Sequence, residues 1–176
     1  MIVTLTGVSG TGKTTVCKEL IKHHGNKFLV SITTRLPRSS DLDGEFEYLS
    51  KEQFLKEKNE NKFLWTTSYA DNWYGTRKCD VDNALSSKET HLMILVPPVV
   101  PILHGYAKVT SIFLENLPSN ILEQRMLQRG DSLETTRKRL LALNDWQLEA
   151  QKTPYYIFIS SEGTPEDILQ RIIGKI

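Results

Sequence analysis

The chain has 176 residues, 39% of them hydrophobic, which is enough for one domain with its own core, or one domain carrying a small inserted lobe. Its 22 basic and 21 acidic side chains leave a formal net charge of +1, which excludes attraction to nucleic acid or to a membrane surface by bulk charge. Cys17 and Cys79 stand in no CxxC spacing and lack the neighbours of a zinc site, so both are expected to be ordinary reduced thiols.

Ile2 to Thr6 is an apolar, β-branched run ended by Gly7 and reads as a buried strand. Lys13 to about His24 places Val16, Leu20 and Ile21 on one helical face, with Gly25 as the stop. Phe28 to Ile32 is a second strand. The stretch from residue 33 to about 88 is more polar and reads as an inserted lobe between core segments 1–32 and 89–176. In it the pattern predicts a helix at Lys51 to Asn59, a strand at Phe63 to Thr67, an aromatic and glycine turn at Trp73 to Gly75, and a helix at Lys78 to Ser87. Leu92 to Val96 suits a central parallel strand that Pro97, Pro98 and Pro101 end abruptly; Thr110 to Leu114 is another strand. Ser119 can cap a helix reaching about Arg129, Leu133 to Lys152 is amphipathic, Tyr156 to Ile159 is the last strand, and TPED at Thr164 opens a closing helix. Strands alternating with helices predict an α/β fold with a parallel sheet. The first residues show no basic leader segment, and LMILVPPVVPIL is too short and too proline-broken to span a bilayer, so a cytoplasmic protein without a membrane partner is expected.

GVSGTGKT, Gly7 to Thr14, fits GxxxxGK[ST] between a predicted strand and a predicted helix, the context this phosphate-binding loop requires. Gly7, Gly10 and Gly12 let backbone N–H groups of the loop, with Ser9, Thr11 and Thr15 among them, turn toward a phosphate chain at the positive end of the helix. Lys13 brings a charge to the β and γ phosphates, and the Thr14 hydroxyl can join the coordination of Mg²⁺ on ATP. The chain is short for a motor ATPase and lacks the NKxD run of a GTPase, which leaves a phosphotransferase. In TTRLPR, Arg35 and Arg38 flank a proline in a loop, where planar, bidentate donors could hold an acceptor phosphate.

Taken together, SITTRLPR, the DG at Asp43, YLSKEQF, WYGT, RGDS and RKRL resemble the guanylate kinase family in order and spacing. The resemblance implies a P-loop NTPase fold with an acceptor-binding lobe and a mobile helical lid at about 128–140. It also implies an acceptor site in which Arg35, Arg38 and Tyr74 grip the phosphate while Ser31 and Thr76 lie near the base. Lys13, Arg129 and Arg139 would be catalytic, the two arginines neutralising the transferring phosphoryl group, an effect that accounts for about 10³ to 10⁵ in rate elsewhere. RGDS is one residue shorter than the family's usual RGTDS, so Arg137 is the alternative to Arg139.

Two positions depart from that family. Trp65 stands where the family has a guanine-reading glutamate, and Pro97 where it has an aspartate, while the family's second phosphate-binding tyrosine is replaced by Phe46 or displaced to Tyr48. Tryptophan offers only a donor and a face for stacking, and proline no side-chain polar group. The reading that follows is an ATP- and Mg²⁺-dependent kinase acting on a small phosphorylated acceptor, GMP or dGMP by resemblance, in a monomer or homodimer. A kinase of ribose 1,5-bisphosphate and a non-catalytic guanylate-kinase-like binding module are the alternatives.

Overall fold

The computed structural model describes residues 1–38, 41–69, 71–141 and 143–176. Strand β1 (Ile2–Thr6) is buried along its whole length and leads through a glycine-rich loop into helix α1 (Lys13–His24). The helix buries Val16, Cys17 and Leu20, and it stops at Gly25, whose left-handed conformation (φ 65°) returns its N–H to Ile21 O at 3.2 Å.

The expected strand Phe28–Ile32 is divided between two sheets. β2 (Lys27–Phe28) is an edge of the first, and Leu29 N–H still reaches Leu92 O at 2.9 Å. Two residues on, Ser31 N–H reaches Glu45 O at 3.0 Å and β3 (Ser31–Thr33) belongs to the second. A short apolar run carries no mark of such a change of partner, because either sheet buries the same residue types.

The second sheet continues through β4 (Phe46–Tyr48), β5 (Phe63–Tyr69) and β6 (Asn72–Arg77), in the order β4-β3-β6-β5. Helix α2 (Lys51–Asn59) lies between β4 and β5 in the chain, and Ser50 and Gln53 cap it reciprocally. Helix α3 (Lys78–Ser86) follows β6 directly. Trp73 to Gly75, expected as a turn, is extended and paired with both β3 and β5. Gly75 serves close approach rather than reversal: a Cβ there would lie 2.9 Å from the Phe63 ring and 3.0 Å from Trp65 O.

The chain then returns to the first sheet with β7 (His91–Ile94). The prolines that end it also begin something: a 3₁₀ turn at Pro97–Val99 runs into helix α4 (Val100–Tyr106), where a missing N–H is harmless in the first turn. β8 (Val109–Leu114) leads to helix α5 (Ser119–Gln128), in which Ser119 is the first helical residue and Pro118 occupies the cap position without a side-chain bond. The amphipathic stretch beyond holds α6 (Leu133–Leu141) and α7 (Leu143–Lys152), on either side of residue 142. β9 (Tyr156–Ile159) and α8 (Pro165–Ile173) close the fold, the latter with the expected Thr164 cap, made reciprocal by Asp167.

The first sheet is parallel throughout, in the order β2-β7-β1-β8-β9, and helices flank it. Alternate residues serve its two faces. Val3 and Leu5 join Leu20, Ile168 and Ile172 in one apolar cluster, whereas Ile2, Met93 and Leu95 join Val81, Leu103 and Trp65 in another. The second cluster fuses the two sheets, since Trp65 belongs to β5. Each large side chain buried in this way stabilises the fold by about 1.5–3 kcal/mol.

Candidate active site

A cavity of about 880 Å³ opens at the carboxyl end of β1, where ligands of open α/β sheets are held. Its floor is the loop between β1 and α1. Gly7 has φ 144° and Gly10 φ 92°, and a Cβ would come within 2.7 Å of Leu114 O at the first and 3.1 Å of Leu122 at the second. Only glycine lets the chain lie so close to β8 and α5 while turning its N–H groups outward. The first turn of α1 has no side-chain cap and no acidic residue, so its free N–H groups and dipole suit an anion such as a phosphate chain. Ser9, Thr14 and Thr15 line the cavity, but Thr11 does not: it is fully buried and its hydroxyl donates to Val8 O at 2.9 Å, bracing the loop.

Lys13 Nζ donates to Gly7 O and Val8 O, each at 2.7 Å. Burial, and then the neighbouring Arg129, lower its pKa to about 7. A cation placed among cations with so little solvent stabilises any anion that enters.

Opposite the loop stand residues of the second sheet. Arg35 is buried, and its guanidinium meets Asp41 with two parallel hydrogen bonds of 2.8 and 2.6 Å, donates to Leu36 O at 2.9 Å, and lies 4.6 Å from the centre of the Phe46 ring. Asp41 also accepts from the Tyr48 hydroxyl at 2.6 Å and from Arg38 N–H at 2.7 Å. Burial works against the Asp41 carboxylate, but the bonds from Arg35 and Tyr48 prevail and hold its pKa below the usual range. The Arg38 side chain is exposed on the cavity wall, where Ser31 and Tyr74 also lie. Thr76 does not line the wall; it is fully buried.

The third side comes from the helices after β8. Arg129, at the end of α5, places Nε and Nη2 at 3.0 and 2.5 Å from Asp131 Oδ2, and Arg139 of α6 places Nη1 at 2.6 Å from the same oxygen. Both arginines line the cavity, whereas Arg137 is exposed outside it. Arg125 also lines it and donates to Gly10 O at 3.1 Å, tying α5 to the loop. Trp146 of α7 and Tyr69 of β5 meet with ring centroids 5.8 Å apart.

Asp41, Arg125 and Asp131 escape a reading of the chain. Asp41 and Asp131 act by gripping arginines six and eight residues away across loops, and Arg125 looks like any solvated helix charge. An acid within a few residues of each candidate arginine was the available signal.

The profile of the guanylate kinases matches residues 1–173. The chain belongs to the guanylate kinase family. By that kinship it is a nucleoside monophosphate kinase. Similar proteins include the guanylate kinase of Clostridium tetani, 35% identical over 136 residues, which are 76% of this chain and 65% of the relative. The guanylate kinase of Prochlorococcus marinus (strain MIT 9312) is 35% identical over 178 aligned positions, covering 99% of this chain and 96% of the relative. The crystal structure of guanylate kinase from Anaplasma phagocytophilum matches with a TM-score of 0.71 over 99% of this chain and 82% of that one; at 18% identity this likeness concerns the fold. No helix among the described residues is long and apolar enough to cross a membrane.

Proposed function

We propose that this guanylate kinase family member transfers the γ-phosphoryl group of ATP to the phosphate of a nucleoside monophosphate, GMP or dGMP by kinship. One observation carries the reading: a single cavity has the glycine loop and Lys13 on one side, Arg35, Arg38 and Tyr74 on another, and Arg129 and Arg139 on a third. Mg-ATP, when bound, supplies the phosphoryl group and a divalent charge on its oxygens. The loop N–H groups and Lys13 hold the triphosphate, and the Thr14 hydroxyl would be the protein's ligand to Mg²⁺. Among the described residues no group of three His, Cys, Asp or Glu could hold a metal by itself, which fits a cation bound largely through phosphate oxygens.

The lobe of residues 33–88 presents the acceptor. Arg38 and Tyr74 bind its phosphate, with Arg35 held rigid beside them by Asp41, so that an acceptor oxygen lies in line with the γ phosphorus. That oxygen is already anionic and needs no general base. Ser31 lies in the wall beside the base, and Thr76 stands behind it. The lid of residues 128–140 brings Arg129 and Arg139 onto the charge that spreads over the transferring group.

A coupled assay of ADP release with GMP and dGMP tests this. Acceptor-dependent ADP formation that disappears with Lys13→Ala is expected; ADP release indifferent to any acceptor removes the proposal.

A further inference from the structure

Three carboxylates line the cavity among the described residues, and two of them are neutralised by arginines. Asp41 holds Arg35 through both of its oxygens, and Asp131 holds Arg129 and Arg139. In Glu45 one oxygen accepts from Leu42 N–H at 3.1 Å, and the other has no partner among the described residues, although the residue is only 8% exposed. That second oxygen is not one of the polar atoms sealed inside the fold, so it remains open to a ligand of the cavity.

The surroundings of Glu45 indicate which ligand. Its charge acts on Lys13 at the donor end and on Arg35 at the acceptor end, so it lies within electrostatic reach of both phosphate-binding groups. A carboxylate there repels the triphosphate and the acceptor phosphate alike. With so little solvent and no counter-ion it is costly unless a positive partner arrives. The cation that the substrates bring is the Mg²⁺ on ATP.

The core strands point the same way. Phosphate-loop enzymes commonly join the loop hydroxyl with an aspartate from a strand of the core. Here β7, which lies beside β1, runs out through Ile94, Leu95 and Val96, and these line the cavity without a polar side chain. Mg²⁺ on a nucleotide ordinarily takes one or two carboxylates besides phosphate oxygens and water. Glu45 comes from the other sheet, immediately before β4, and can supply one.

Resting on the kinase reading above, we propose that Glu45 is the carboxylate that receives the Mg²⁺ of ATP, beside the Thr14 hydroxyl. The acceptor lobe then completes the metal site of the donor, and Mg-ATP joins the lobe to the phosphate loop.

Glu45→Gln keeps the size of the side chain and an oxygen for Leu42 N–H, and it removes the charge. Isothermal titration calorimetry with ATP, in Mg²⁺ or in EDTA, reads the effect without turnover. Mg-ATP should bind the variant about 10- to 100-fold more weakly than it binds the natural protein. Metal-free ATP should bind the variant at least as tightly, because a repulsion is gone. Equal weakening of both forms, or no change in either, overturns the proposal and leaves Glu45 a brace for Leu42. Weaker binding of GMP with Mg-ATP binding unchanged overturns it as well, since the carboxylate then reads the acceptor. Those results leave the kinase reading standing, whereas a natural protein that binds no ATP removes both. If Glu45→Gln does not fold, Glu45→Asp takes its place: the charge is kept but drawn back, and binding of Mg-ATP alone should weaken.

Discussion

The donor and acceptor ends of the cavity are built from different materials. The donor end is backbone: glycines at positive φ and the uncapped first turn of α1, with one lysine added. The acceptor end and the lid are side chains, and three of their arginines are already paired, Arg35 with Asp41, and Arg129 and Arg139 with Asp131. A backbone cradle needs only the right residues in a row. An ion-paired clamp needs a second residue to fix the first, and it is the second residue that decides how rigid the clamp is.

If the division holds, Lys13→Ala should have the largest effect, a loss of about 10³-fold or more in kcat with the fold intact by circular dichroism. Exchanging the lid arginines sharpens the other side of the comparison: Arg139→Ala should lower kcat by about 10²- to 10³-fold, and Arg137→Ala by less than about twofold. Equal effects would remove the distinction drawn from their placement.

Asp41→Asn should act on the acceptor alone. The buried Arg35 charge loses its counter-ion, a change that costs about 3–5 kcal/mol elsewhere, so the melting temperature should fall by about 6 to 20 °C. The KM for the nucleoside monophosphate should rise about tenfold while that for ATP stays put. A rise in both would mean that the two ends are not separately built.

The smallest expected effect is one of pH. Lys13 titrates at about 7 in the fold and at about 10 when unfolded, so between these values the unfolded chain binds the extra proton. The Lys13 contribution to the stability of the unliganded protein should therefore rise with pH through that window, while the Cys17 thiol, which burial holds protonated, works the other way above about pH 9. The difference between the urea midpoints of the natural protein and Lys13→Met, followed from about pH 7 to 9, isolates the Lys13 term.

How far the chain could be read follows the same division. The phosphate loop, the cap of α8 and the stop at Gly25 depend on neighbours within a few residues, and all were legible. Gly75 was misread because glycine most often marks a turn, whereas here it makes room for the Phe63 ring. The split between β2 and β3, and the helix begun by Pro97, rest on tertiary partners that local pattern does not name. Lys13, Arg35, Arg38, Tyr74, Arg129 and Arg139 were picked out by motif and lie together on the cavity. Thr76 was picked out with them for its hydroxyl, which looks like a ligand in a string of letters and is a core group in space, whereas Thr11 was read for its backbone N–H and its buried hydroxyl braces the loop.

The meeting of Tyr69 with Trp146 has an optical consequence. Of the three tryptophans, Trp65 and Trp73 belong to strands of the second sheet, and only Trp146 sits on the helices beyond the lid. Its emission reports the spacing between the β5–β6 hairpin and α7, so titrating nucleotides into a Trp65→Phe, Trp73→Phe background follows their approach without an attached dye.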